Sequence, residues 1–89
     1  MDIVFVQAPW CHACHQAEPV ITQVAKDLHI NLVKLCADED CSEVGALGIG
    51  SLPTTIVRQG GKEVGRWEGA FNHKSTLKRI QEATRAPVN

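Results

Sequence analysis

One stretch constrains this chain more than any other: Ala8-Pro9-Trp10-Cys11-His12-Ala13-Cys14-His15, which sets two cysteines at the junction of two patterns. Before it, Ile3-Val4-Phe5-Val6 is an unbroken apolar run rich in β-branched residues and predicts a short buried strand. After it, Ala17, Val20, Ile21, Val24, Ala25 and Leu28 recur at helical spacing and share one face. The cysteine pair therefore sits where a strand ends and a helix begins. The first turn of a helix has unpaired backbone N–H groups and partial positive charge. A thiolate placed there is stabilised, and the thiolate is the form that attacks a disulfide.

The remaining elements follow in order. Pro9 helps to end the first strand, and the helix is expected from about Cys11 to Leu28, with a kink at Pro19. Ile30 to Cys36 reads as a second buried strand, which completes a right-handed βαβ unit with parallel strands. An acidic loop, Asp38-Glu39-Asp40, leads to a brief helix over residues 41–47, with Val44 and Leu47 facing inward. Thr54 to Arg58 is a third strand, Gly60-Gly61 a hairpin turn, and Lys62 to Glu68 a fourth strand with a bulge marked by Gly65. Asn72 is the candidate N-cap of a last helix that runs to about Thr84, with Leu77, Ile80 and Ala83 inward; Ala86-Pro87-Val88-Asn89 is expected to fray. The order β-α-β-α-β-β-α predicts an α/β fold, a four-stranded mixed sheet with helices on both faces.

Length and charge narrow the function. A chain of 89 residues predicts a single domain over residues 1–89. A formal net charge of −1 without long runs of one sign gives no support for nucleic acid or a membrane surface as partner. No apolar stretch is long enough to span a bilayer, and Met1-Asp2 leads directly into the first strand without a signal sequence. A cytoplasmic monomer is therefore expected. In that compartment four cysteines point to redox chemistry or metal, not to a structural disulfide framework.

The residues resemble a known family. Trp10-Cys11-His12-Ala13-Cys14 after a strand, Pro19 in the following helix, Leu52-Pro53-Thr54 before the third strand and Gly69 after the fourth are similar to thioredoxin, over nearly the whole chain. The resemblance implies a minimal thioredoxin fold, with Cys11 as attacking thiol, Cys14 as buried resolving thiol and Pro53 as a cis proline beside them. It also implies that Leu52 offers its backbone to an extended substrate, in a groove bordered by Trp10, Pro53, Thr54, Gly69 and Ala70. Three departures stand out. The first strand and helix usual in thioredoxins are missing, so size and topology also resemble glutaredoxin. The family's buried acid falls on Phe5, which leaves Lys34 without that partner and predicts a solvated lysine. Between the cysteines stand His12-Ala13, neither Gly-Pro nor the glutaredoxin Pro-Tyr, and no clear glutathione site is visible.

The chemistry expected is two-step reduction of a protein disulfide by Cys11 and Cys14, with no cofactor and no metal. Trp10, His12, Ala13 and Pro53 support it, Trp10 by shielding the disulfide and packing under its loop. Protonated His12 and His15 would favour the thiolate and make the disulfide more oxidising; the alternative is two solvent-exposed histidines with little effect. His29 and His73 read as surface residues, and Trp67 as a residue on the sheet. Cys36 and Cys41 form a second thiol pair if their Cα atoms come within about 7 Å; otherwise one is a small buried hydrophobe and the other a thiol at a helix start. Expected partners are disulfide-containing proteins, ribonucleotide reductase being a common target of such proteins, with electrons from a thioredoxin-reductase-type donor or glutathione. Two other functions compete with this one. Cys11, Cys14, Cys36 and Cys41 could together bind zinc, or the groove near Pro53 could dock a partner without turnover.

Overall fold

In the computed structural model, residues 1–84 are described, and the tail 86–89 expected to fray lies outside them. Seven elements follow in the expected order: β1 (Asp2–Gln7), α1 (His12–Asp27), β2 (Asn31–Cys36), α2 (Cys41–Ala46), β3 (Thr54–Gln59), β4 (Lys62–Glu68) and α3 (His73–Thr84). They build one four-stranded sheet in the order β2-β1-β3-β4. β1 runs parallel to β2, with Phe5 opposite Lys34, and antiparallel to β3, with Phe5 opposite Thr55.

The unbroken apolar run of β1 has a direct cause, since a central strand covered on both faces needs apolar residues at every position. Ile3 and Phe5 point to one face and pack with Ile21 and Val24 of α1, Val57 of β3 and Ile80 of α3. Val4 and Val6 point to the other, where Leu35, Val44 of α2 and Ile56 close a second cluster. Leu47, the C-cap of α2, packs against that cluster as expected, and Trp67 of β4 packs half-buried against the first.

Several boundaries shift. α1 opens at His12 with Cys11 as its N-cap, and it continues through Pro19 to Asp27. The αL residue His29 (φ 55°) turns the chain after α1, and the Ile30 N–H bonds the Ala25 carbonyl at 2.9 Å, so β2 begins only at Asn31. The bulge lies one residue before Gly65. Val57 pairs with Gly65 and Arg58 with Glu63, which leaves Val64 as the extra residue. Gly65 answers a different need: a Cβ added there would lie 2.5 Å from the Cβ of Ala83, so α3 can pack on β4 only over a glycine. Asn72 caps α3 as expected, its Oδ1 accepting the Ser75 N–H at 2.8 Å.

Candidate active site

The turn between β1 and α1 builds the site. The Cys11 N–H donates to the Ala8 carbonyl at 3.1 Å, closing a turn with Pro9 at the position whose φ proline presets. Cys11 then stands as N-cap in extended conformation, and the Cys14 N–H donates to its Sγ at 3.2 Å. A sulfur in that place takes the hydrogen bond that a serine or aspartate cap usually accepts. It also faces the positive end of α1, which favours a thiolate there.

Cys11 and Cys14 are joined by a disulfide, with Cα atoms 5.2 Å apart. Cys11 is 8% exposed and Cys14 1%, so both are buried and Cys11 is the more open of the two. Ala8, Ala13, Ala37 and Leu52 surround the pair with apolar groups. Phe5, where the resemblance puts a buried acid, is fully enclosed in the first core cluster.

Two expectations about neighbouring side chains need correction. Trp10 does not pack under the loop: it is 69% exposed. Its indole N–H is held instead by the carboxylate of Asp38, at 3.0 and 3.2 Å from the two oxygens. Lys34 is not merely solvated, because its Nζ lies 3.4 Å from the Glu18 carboxylate. Both partners are partly open to water, and such a pair contributes little to stability. The sequence assigned no role to Asp38 or Glu18, because each meets its partner only across the fold, where the indole N–H finds its acceptor.

His12 is exposed on the first turn of α1. His15 is exposed, and its Nε2 lies 2.8 Å from the Pro9 carbonyl, which can only accept, so that nitrogen is the donor of the bond. Across the disulfide, the Leu52–Pro53 peptide bond is cis. The Thr54 hydroxyl donates to the Ser51 carbonyl at 2.6 Å, and the Gly69 N–H donates to the Pro53 carbonyl at 2.9 Å, which fixes the strand start beside Gly69 and exposed Ala70. A concavity of about 420 Å³ opens next to Cys11, between Trp10, Val44, Ile49 and Leu52. The structure thus gathers Trp10, Cys11 and Leu52 around one hollow, with Val44 and Ile49 as members that the sequence reading did not include.

The second pair of cysteines stays apart from this centre. Cys36 and Cys41 are free thiols, the first half-buried and the second exposed. The turn between them is closed by Asp40, whose carboxylate accepts the Cys36 N–H at 2.9 Å while its own N–H reaches the Cys36 carbonyl at 2.7 Å. Cys36 is therefore not the small buried hydrophobe expected as the alternative to a thiol pair, whereas Cys41 does start α2. Among the described residues, no three His, Cys, Asp or Glu side chains are grouped so that they could hold a metal ion, so the four-thiolate zinc reading finds no site there.

The thioredoxin family model matches residues 2–82. This chain belongs to the thioredoxin family. Its thioredoxin relatives include that of Chlorobaculum thiosulfatiphilum, 38% identical over 77 residues that cover 84% of this chain and 71% of the relative. Thioredoxin 1 of a Nostoc species is 35% identical over the same coverage. Among solved structures, Fasciola hepatica thioredoxin is 25% identical with a TM-score of 0.84, covering 93% of this chain and 80% of that one. Thioredoxin 1 of Thermosipho africanus shares the fold, with a TM-score of 0.84 at 22% identity over 92% of each chain. Thioredoxin membership accounts for the close pair Cys11–Cys14, on a four-stranded mixed sheet with three helices, and for thiol–disulfide exchange as its chemistry.

Proposed function

We propose that this thioredoxin-family chain reduces protein disulfides through Cys11 and Cys14, with Cys11 attacking and Cys14 resolving. The observation that carries the assignment is the exposure of the two cysteine residues, 8% for Cys11 against 1% for Cys14, with Cys11 capping α1. In the reduced protein the Cys11 thiolate attacks a sulfur of the target disulfide. A Cys11–target disulfide forms, and the target's other sulfur leaves as thiolate and takes up a proton. Cys14, once it has lost its proton, attacks the Cys11 sulfur. The Cys11–Cys14 disulfide forms and the second target sulfur leaves. Two electrons have passed to the target, and a dithiol donor of the thioredoxin-reductase type, or glutathione, must restore the pair. Leu52, Gly69 and Ala70 border the groove that takes an extended target segment, with Trp10 at its side and the buried Pro53 and Thr54 behind it. We read the protein as a cytoplasmic, monomeric, single-domain reductase. Its targets are disulfide-containing proteins, of which ribonucleotide reductase is one candidate. Among the described residues no helix is long and apolar enough to cross a membrane.

A redox titration against glutathione, with alkylation and mass spectrometry at each cysteine, tests this reading. Cys11 and Cys14 are expected to oxidise together, at a midpoint between about −270 mV, as in thioredoxins, and about −200 mV, as in glutaredoxins. Failure of the pair to form a disulfide at any poise would end the reductase assignment.

A further inference from the structure

We infer that the hollow beside Cys11 selects basic partners: it seats an apolar side chain next to the target cysteine, while the carboxylates at its mouth hold a lysine or arginine of the same segment. The inference rests on the reductase reading and adds to it the class of protein that the groove accepts.

The hollow itself is apolar. Val44, Ile49 and Leu52 line it, Cys11 of the buried disulfide lies at its edge, and the exposed Trp10 ring forms one wall. Its volume of about 420 Å³ suits one large aliphatic or aromatic side chain. An apolar wall alone does not choose a partner; the charge around it does.

Between Lys34 and Arg58 the chain carries Asp38, Glu39, Asp40 and Glu43 and no lysine or arginine. Asp38 stands at the mouth itself, bound to the Trp10 indole by a neutral donor that leaves its charge uncompensated. Glu39, next to it in the chain, is exposed and lines a neighbouring hollow with His15 and Glu18, and Asp40 accepts only a backbone N–H. None of the three is in an ion pair among the described residues, where the pairs are Lys34–Glu18, Arg66–Glu63 and His73–Asp27. Glu43 faces away, lining a separate hollow with Arg58. The arginine that comes near, Arg66, reaches the Gly48 carbonyl at 3.5 Å, but Glu63 takes its guanidinium at 2.7 and 2.9 Å. His12 and His15 lie on the α1 side of the disulfide, with His15 tied to Pro9. The mouth is therefore negative although the whole chain is near neutral. Such a field speeds the approach of a basic segment and opposes an acidic one.

The test uses the full chain in its reduced form, in single-turnover exchange with peptides that each hold one internal disulfide. The peptides differ only in a Lys or Glu two residues from the attacked cysteine, and in a Leu or Ser next to it. At low salt the Lys peptide is expected to react about tenfold faster than the Glu peptide, and the ratio to fall toward one at about 0.5 M salt. Leu is expected to outpace Ser by about tenfold at either salt concentration. Asp38→Asn keeps an acceptor for the Trp10 indole and removes the charge; with Glu39→Gln it is expected to abolish most of the Lys preference. Hydroxyethyl disulfide, small and uncharged, serves as control and should be reduced by the wild-type protein at a rate that does not change between the two salt concentrations. Equal rates for Lys and Glu peptides at low salt, with the control reduced normally, would overturn the selectivity and leave the reductase reading standing. A control that is not reduced at all would bring down both.

Discussion

A single N–H···S bond distinguishes the two sulfurs at the centre of this protein. Cys11 caps α1 with its Sγ, and Cys14 lies one turn on, enclosed by Ala8, Ala13, Ala37 and Leu52. The roles proposed for the two thiols rest on that difference, and trapping tests them. Cys14→Ser is expected to accumulate a mixed disulfide between Cys11 and the target, seen as an adduct by intact-mass spectrometry. Cys11→Ser should form no adduct. An adduct on Cys14 in the Cys11→Ser protein would reverse the assignment. The enclosure of Phe5 bears on the same step. No acid is buried at that position to receive the proton of the resolving thiol, so base from solvent must do so, and the adduct of the wild-type protein should decay faster as pH rises.

At the scale of elements, the sheet and helices meet at places where one side chain decides the fit. α3 rests on β4 over Gly65, where a Cβ would come within 2.5 Å of the Ala83 Cβ. Gly65→Ala is therefore expected to cost about 1–3 kcal/mol, as overpacking does, read from the midpoint of urea unfolding. An unchanged midpoint would mean that α3 moves aside freely. The N-terminus of α3 is tied to the C-terminus of α1 by His73 and Asp27, 2.9 Å apart. The hydrogen bond from His73, helped by one from Gln23, holds the Asp27 carboxyl below its ordinary range. A carboxyl depressed in the folded state contributes stability above its unfolded pKa of about 4, and that contribution is lost as pH falls through the folded value. The melting temperature should drop over that acid window, and less steeply in Asp27→Asn. Identical slopes for the two proteins would show that the pair carries no linkage.

For the whole molecule, one sheet holds two cores on opposite faces. Ile56 belongs to the face covered by α2 and Ile80 to the face covered by α1 and α3, both essentially without solvent contact. Each truncation to alanine is expected to cost about 2–5 kcal/mol by denaturant unfolding. Because the sites share no neighbours, their effects should add, and the double variant would exhaust most of a stability of about 5–15 kcal/mol. A double variant no weaker than the worse single one would mean that the two faces unfold independently.

Much of this could be read along the chain, because it depends on neighbours a few residues apart. An apolar β-branched run makes β1, helical spacing makes α1, Gly60-Gly61 turns the hairpin, Asn72 caps α3, and Cys-x-x-Cys at a strand–helix junction announces thiol chemistry. The resemblance of Leu52-Pro53-Thr54 and Gly69 to thioredoxin extended that reading to the groove. The rest was decided only by folding, since it joins residues far apart in sequence. Trp10 meets Asp38 across 28 positions and His73 meets Asp27 across 46. Lys34 finds Glu18 only because α1 crosses over β2. Gly65 looks like a bulge glycine in the strand pattern, and it shows its purpose only when Ala83 arrives above it. Local pattern sets which element each segment forms. Which side chains face one hollow, and which charge stands at its mouth, depends on how those elements pack.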